Sequence, residues 1–303
     1  LPAFTEAANR GVAEAEALSL RMRDGAGGPV QGVDDSLLPR LQIVDVSQEP
    51  DPRAVARAAM LRERLMPVDP MRDRLALQQL YVLGPDRHAW YLRVHHLATD
   101  GYGMALLTER ICALYAAVLG QGDTGLPLAA LDAALAEDLQ YRSSQRRSAD
   151  AAYWRDAMAG MPAPAGLGPG FAHAAQDCLR HVQPVAPALR ERLHAVADAI
   201  GQPWPDVLTA LTAAYCQRMS GVAEGVVGVA FMGRLGSAPA GCPEMVMNVL
   251  PLRVAAAGTL DVAAYVQALS RSLVRGRRHG RYRGEQLWRD LGLLGGQRRL
   301  HGP

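Results

Sequence analysis

Seven consecutive residues, His95-His96-Leu97-Ala98-Thr99-Asp100-Gly101, hold the densest set of chemically capable side chains in this chain. An imidazole changes charge near neutral pH, so it can hydrogen-bond a nucleophile and take up its proton. If the preceding run is a strand, successive side chains alternate in direction. Trp90, Leu92, Val94 and His96 then share one face, and Tyr91, Arg93 and His95 the other, so only one histidine can face a given cavity. Asp100 falls where the chain turns into a helical pattern, where a carboxylate can cap free amides or pair with an arginine. Gly101 permits close backbone approach or a positive φ. A lone histidine pair is more often packing or surface than catalysis. With 8 His and 30 Gly in 303 residues, however, this spacing arises by chance at roughly one in a thousand.

The elements that must position this block follow from periodicity and turn chemistry. A helix is expected over Phe4–Leu18, and the glycine-rich stretch Asp24–Gly32 reads as a loop flanked by short strands. Ala54, Ala58, Leu61 and Leu65 place a helix over Pro52–Leu65. Leu75–Leu83 and Ala89–His96, separated by Gly84-Pro85-Asp86, predict a hairpin leading straight into the histidines. From Met104 the positions Leu107, Ile111, Leu114 and Val118 mark an amphipathic helix closing at Gly120, and Leu131–Met158 is helical in pattern. The uncharged stretch Ala157–Gln176 has membrane-spanning length, but its prolines and glycines make it a linker. Beyond it come a strand over Cys178–Val185, a helix carrying Leu189, Leu193, Val196 and Ile200, and a second helix from Pro205 to about Arg218. Two buried strands, Val226–Met232 and Met245–Val254, and a last helix over Leu260–Arg278 complete the reading.

Composition bounds what such a chain can do. At 49% hydrophobic and 20% charged residues it is a globular α/β chain, and at roughly 150 residues per domain its length suggests two units or one large one. Thirty-two basic residues, all arginine, nearly cancel 30 acidic ones. The net charge of +2 lacks the one-signed field that draws nucleic acid or membrane. Four widely spaced cysteines contain no CxxC pair, so no zinc knuckle or disulfide scaffold is expected and a reducing, cytoplasmic setting fits. The glycine runs lack the spacing of nucleotide-binding loops, and neither a metal nor a flavin motif is present. No export signal opens the chain, which begins without Met, as an excised piece would.

His95 to Gly101 resembles the HHxxxDG motif of nonribosomal peptide synthetase condensation domains. Ser19-Leu20-Arg21-Met22-Arg23 is similar to the family's early arginine-containing strand, and Asn248-Val249-Leu250-Pro251-Leu252-Arg253 resembles its N-[TV]-L-P-[LV]-R segment, in the same order. Phe231-Met232-Gly233-Arg234-Leu235-Gly236-Ser237, with Arg278-His279 and Arg281-Tyr282, is most similar to the condensation domain of the enterobactin synthetase chain. Two local departures stand out: Glu137-Asp138 where many members carry an aromatic before the acid, and Gly280 where a Gln is common.

The resemblance implies two chloramphenicol-acetyltransferase-like α/β subdomains in a V, incomplete at both ends, with the active site in a tunnel between them. It divides the chain into residues 1–160 carrying the motif, a linker over 161–177, and residues 178–303. The implied reaction is amide formation between an acyl or aryl thioester donor and an aminoacyl thioester acceptor, in a pathway that would include siderophore assembly. His96 would act at the attacking nitrogen, with Gly101 offering its amide and His95 in support. Asp100 would be structural, ion-paired with Arg21 or Arg23. Asn248 either completes a strand edge or contacts substrate, as Ser237 would. Arg277 and Arg278 either solvate a helix end or dock a carrier protein. No cofactor is expected in the domain itself, since the substrates ride on the 4′-phosphopantetheine of partner carriers. The implied partners are donor and acceptor carrier domains and an adjacent adenylation domain in a larger chain, with neither nucleic acid nor membrane. A catalytically inactive carrier-binding module is the alternative.

Overall fold

The computed structural model describes residues 1–164, 166–168, 179–234, 236–255, 261–293 and 300–302. The described chain forms two compact units. One comprises Leu1–Gln140 and Arg234–Val246; the other comprises Tyr141–Gly233 and Met247–Pro303. The segment 234–246 therefore belongs with the first unit although it follows the second unit's first strand in sequence.

In the first unit, helix α1 (Pro2–Glu14) starts on a proline that lacks the amide a first-turn position leaves unbonded anyway. It buries Ala7, Ala8, Gly11 and Val12, and a short 3₁₀ turn, Glu16–Ser19, leads on. Strands β1 (Leu20–Gly25) and β2 (Gly28–Val33) pair antiparallel, so the glycine-rich stretch expected as a loop is mostly the hairpin itself. Strand β3 (Gln42–Asp45), built on the β-branched Ile43 and Val44, is an element the sequence reading does not include. Helix α2 (Pro52–Leu65) is capped by Asp51, whose carboxylate accepts from the Ala54 amide at 2.9 Å. Strands β4 (Ala76–Gly84) and β5 (Arg87–Val94) form the predicted hairpin, and β3 joins the other edge of β4 in parallel. Helix α3 (Gly101–Val118) then packs on α1. A Cβ at Gly11 would sit 2.3 Å from Ile111 Cγ1, so glycine is what allows that approach. Leu18, Leu107 and Ile111 are all about 1% exposed in this core, each worth about 1.5–3 kcal/mol by burial.

The helical run expected over Leu131–Met158 is two helices, α4 (Leu131–Arg142) and α5 (Gln145–Ala157). Ser144 stops the first and caps the second, its hydroxyl accepting from the Arg147 amide at 3.2 Å. The linker expected at 161–177 lies largely outside the described residues, as do Cys178, Leu235 and Leu260. Residues 179–185 are not the strand expected there: Leu179, Val182 and Val185 are exposed and no ladder pairs them.

Helix α6 (Pro187–Ile200) ends on Gly201 at φ +70°, and α7 (Trp204–Ser220) follows. Strands β6 (Gly225–Phe231) and β7 (Asn248–Val254) pair antiparallel beneath α8 (Val262–Arg278), with α9 (Gly284–Asp290) beyond. Val207, Ala210, Val254, Val266 and Leu273 form the core of this second unit. Among the described residues no helix is long and apolar enough to cross a membrane.

Candidate active site

β5 stops at Val94, so both histidines lie past the strand and its alternation does not reach them. The His95 amide still donates to Leu75 O at 2.7 Å, a last rung beyond the ladder. Its carbonyl then accepts from the Ala98 amide at 2.9 Å and turns the chain. His95 Nδ1 accepts from the Leu97 amide at 3.1 Å, which makes Nε2 the protonated nitrogen of the neutral ring. Half-buried and engaged, His95 holds the turn. His96 at its apex is solvent-accessible and none of the hydrogen bonds in the described structure involves its ring, leaving both nitrogens for a ligand.

Asp100 is 3% exposed and caps α3, its Oδ1 accepting from the Gly103 amide at 2.8 Å. The arginine expected beside it is a different one. Arg21 Nε donates to Asp34 Oδ2 at 2.9 Å, and Arg23 is an exposed residue of β1. Asp100 instead receives Arg234 Nη2 at 2.9 Å on Oδ1 and the Val246 amide at 3.0 Å on Oδ2. The Asp100 and Arg234 side chains are 2% and 1% exposed. The reason lies in the loops: 234–246 folds back onto the start of α3, whereas the β1 arginines lie on a hairpin whose own acid neutralises one of them. Arg234 also donates to the carbonyls of Pro239, Cys242 and Glu244, and its guanidinium lies 5.2 Å from the Tyr102 ring centroid. Its Nε alone lacks a partner. One side chain thus ties the histidine loop to a second loop, a role its place in the sequence does not announce.

Two glycines of the α3 start do different work. A Cβ at Gly103 would lie 2.3 Å from Thr99 Oγ1 and 3.0 Å from the Pro243 backbone, so the close loop requires glycine there. Gly101 takes neither of the two roles its sequence position left open: its φ is not positive, and a Cβ on it would meet open space. Its amide is the first of the helix, where N–H groups lack intrahelical partners. Ser237 is half-buried and closes the Arg234 loop, its hydroxyl donating to Arg234 O at 2.9 Å. Burial pushes the Cys242 thiol up to about 12, which keeps it an uncharged packing group.

The remaining predicted residues belong to the second unit. Asn248 is 7% exposed; its Nδ2 donates to the Gly280 and Tyr282 carbonyls at 2.9 and 2.7 Å, and its Oδ1 accepts from the Gly284 amide at 3.0 Å. Both amide hydrogens are committed, so the side chain fixes the 280–284 turn and has no donor left for a substrate. Arg277 reaches the buried Asp206 at 3.3 Å, while the Arg278 side chain is exposed. Among the described residues no cluster of three or more His, Cys, Asp or Glu could hold a metal.

Residues 1–300 match the Condensation domain family. The chain is 36% identical over 301 residues to a dimodular nonribosomal peptide synthase of Bacillus subtilis, covering 99% of this chain and 13% of that protein. It is 32% identical over 310 residues to enterobactin synthase component F of Escherichia coli O157:H7, covering 100% and 24%. The solved starter condensation domain of rhizomide synthetase RzmA superposes with a TM-score of 0.86 at 30% identity, over 99% of this chain and 68% of that one. The chain thus spans a quarter or less of these two curated relatives. With a shared fold, a histidine turn and an aspartate-capped helix in place, the chain belongs to the condensation-domain family of nonribosomal peptide synthetases, whose general reaction is amide formation between thioester-bound substrates.

Proposed function

We propose that this domain transfers an acyl or aryl group from a donor carrier's pantetheine thioester to the amine of an aminoacyl thioester on an acceptor carrier. The amine nitrogen attacks the donor carbonyl carbon, the zwitterionic adduct loses a proton from nitrogen to His96, and the C–S bond breaks as His96 passes that proton to the departing sulfur, releasing the donor thiol. A free α-amino group with a pKa of about 8 is roughly a tenth neutral at pH 7, so generating the nucleophile costs only about 1.4 kcal/mol. Aligning two tethered reactants can be worth about 7–11 kcal/mol. The protein's principal contribution is therefore positioning, with His96 managing the proton and the Gly101 amide orienting a substrate oxygen.

The observation that carries this reading is the clamp of Asp100 and Arg234, which fixes the start of α3 just after the turn that carries the unbonded His96 imidazole. His95, Arg234 and Ser237 are positioning residues, and Asn248 acts through the turn it fixes. The likeness to an enterobactin synthase and to a starter condensation domain supports an aryl or acyl starter donor and a siderophore-type product. Arg277 and Arg278 form the carrier-docking patch, an adenylation domain is the neighbour in a longer chain, and the setting is cytoplasmic. The test is mass spectrometry of carrier-bound product, using purified acyl-loaded and aminoacyl-loaded carriers. Amide product with the native protein and none with folded His96→Ala is expected. Full turnover by that variant would remove the mechanism, and carrier binding without any turnover by the native protein would establish a binding module instead.

A further inference from the structure

The histidine turn and the start of α3 alternate open and sealed side chains. Ala98, Thr99 and Asp100 are buried, whereas His96 before them and Tyr102 after them are open, Tyr102 at 43% exposure. Helix side chains lean toward the N-terminus, so a ring at the second position of α3 lies over the helix start rather than along its shaft. The Arg234 guanidinium bears this out, standing 2.9 Å from the Asp100 carboxylate and 5.2 Å from the Tyr102 ring centroid. Next to the ring, Gly101 leaves open the space that a Cβ would take.

The two faces of this ring are unlike. One lies against Arg234, whose side chain is 1% exposed, so the ring helps to seal that cation from water. The exposure of Tyr102 is therefore that of the other face and the edge. None of the hydrogen bonds in the described structure involves its hydroxyl, so the ring alone does the packing. A cation against one face of an aromatic ring draws electron density toward itself and leaves the far face less negative. Such a face repels the π cloud of a second ring less, so an aryl group in offset stacking gains over a saturated ring of equal size. Burial alone would not separate the two, because both remove similar apolar area from water.

We propose that Tyr102 is a specificity-determining residue that selects an aryl donor: the aryl ring of the donor acyl group stacks on its outer face while the thioester carbonyl lies beside the Gly101 amide. In an aroyl thioester the ring and the carbonyl are directly bonded, so both contacts must come from neighbouring positions, as 101 and 102 are. The inference rests on the amide-forming reading, which brings a donor thioester to this helix start.

Calorimetric titration of the 303-residue protein with S-benzoyl-pantetheine and S-cyclohexanecarbonyl-pantetheine tests this without requiring turnover. The benzoyl thioester should bind more tightly by about threefold or more. Tyr102→Phe keeps the ring and should keep that ratio, whereas Tyr102→Leu covers Arg234 without a π face and should bring it to about one; a merely structural residue would weaken both thioesters alike. Where Tyr102→Leu does not fold, 3-fluorotyrosine placed at Tyr102 reads the same contact by fluorine NMR, its resonance moving with saturation by the benzoyl thioester. Equal binding of the two thioesters by the native protein, a ratio that survives Tyr102→Leu, an unmoved fluorine resonance, or no saturable benzoyl binding up to about 10 mM would overturn the proposal. A Tyr102-dependent preference without amide product from the native protein would uphold this inference and overturn the amide-forming reading, and product without the preference would do the reverse.

Discussion

Asp100 and Arg234 stand 134 positions apart in sequence and 2.9 Å apart in space, both almost wholly sealed from water. The pair joins the start of α3 to the loop over 234–246 within one unit. Because Arg234 also holds three carbonyls, the cation organises the loop as well as neutralising the aspartate.

Breaking this pair from either side leaves a buried charge without its partner, which typically costs about 3–5 kcal/mol. Arg234→Ala and Asp100→Ala should each lower unfolding free energy by that order, and the double variant by much less than their sum. Arg234→Lys keeps the charge but lacks the fork that reaches several carbonyls, so it should fall between the native protein and Arg234→Ala. Chemical denaturation measures all four. Additive losses would show that the two side chains do not act as a pair.

His96→Ala removes an exposed, unbonded ring, so the melting curve should be unchanged within about 0.5 kcal/mol while amide product disappears. His95→Ala should instead loosen the turn, lowering stability and slowing turnover together.

Gly103→Ala forces a methyl against Thr99 and the Pro243 backbone, an overpacking expected to cost about 1–3 kcal/mol. Gly101→Ala places its methyl in open space and should leave stability intact. A loss of turnover in Gly101→Ala at native stability would place substrate against that helix start, and native turnover would place it elsewhere.

Asn248→Ala strands the Gly284 amide and the Gly280 and Tyr282 carbonyls, a loss of about 2–4 kcal/mol. Hydrogen exchange should show protection lost first over 280–284. For carrier docking, Arg278→Glu is the cleaner probe, because Arg277→Glu would set an acid beside the buried Asp206. Carrier affinity that falls with Arg278→Glu and with added salt supports docking; an unchanged affinity rejects it.

Acid should weaken the first unit as two of its carboxylates take up protons. The Ser36 hydroxyl, then Arg21, hold Asp34 down at about 2 from its ordinary 3.8. For Glu14, burial pushes the pKa up, but the hydrogen bonds of Arg110 and the Leu128 amide outweigh it and the net shift is downward. A depressed carboxyl stabilises the fold fully above its unfolded value and loses that contribution as pH falls through the folded value. Stability should therefore hold above pH 4.5, weaken as Glu14 protonates, and weaken again toward pH 2. Asp34→Asn should be less stable than the native protein at neutral pH and converge with it near pH 2, as followed by melting temperature against pH.

What the sequence determined by itself is what short-range chemistry encodes. Gly84-Pro85-Asp86 marked the β4–β5 hairpin, the spacing of Ala54, Ala58, Leu61 and Leu65 marked α2, and the histidine block marked the site, its reaction class coming from the resemblance of that block to a family motif, because turn residues, apolar spacing and motifs act within a few positions of themselves. Only tertiary structure decided which arginine meets Asp100, because ion pairing depends on which loops return to the same place and many arginines are equivalent on paper. It likewise ended β5 before the histidines, split α4 from α5 at Ser144, and left residues 179–185 without a strand partner. A strand persists only while a neighbour supplies its hydrogen bonds, and no local pattern states where that neighbour stops.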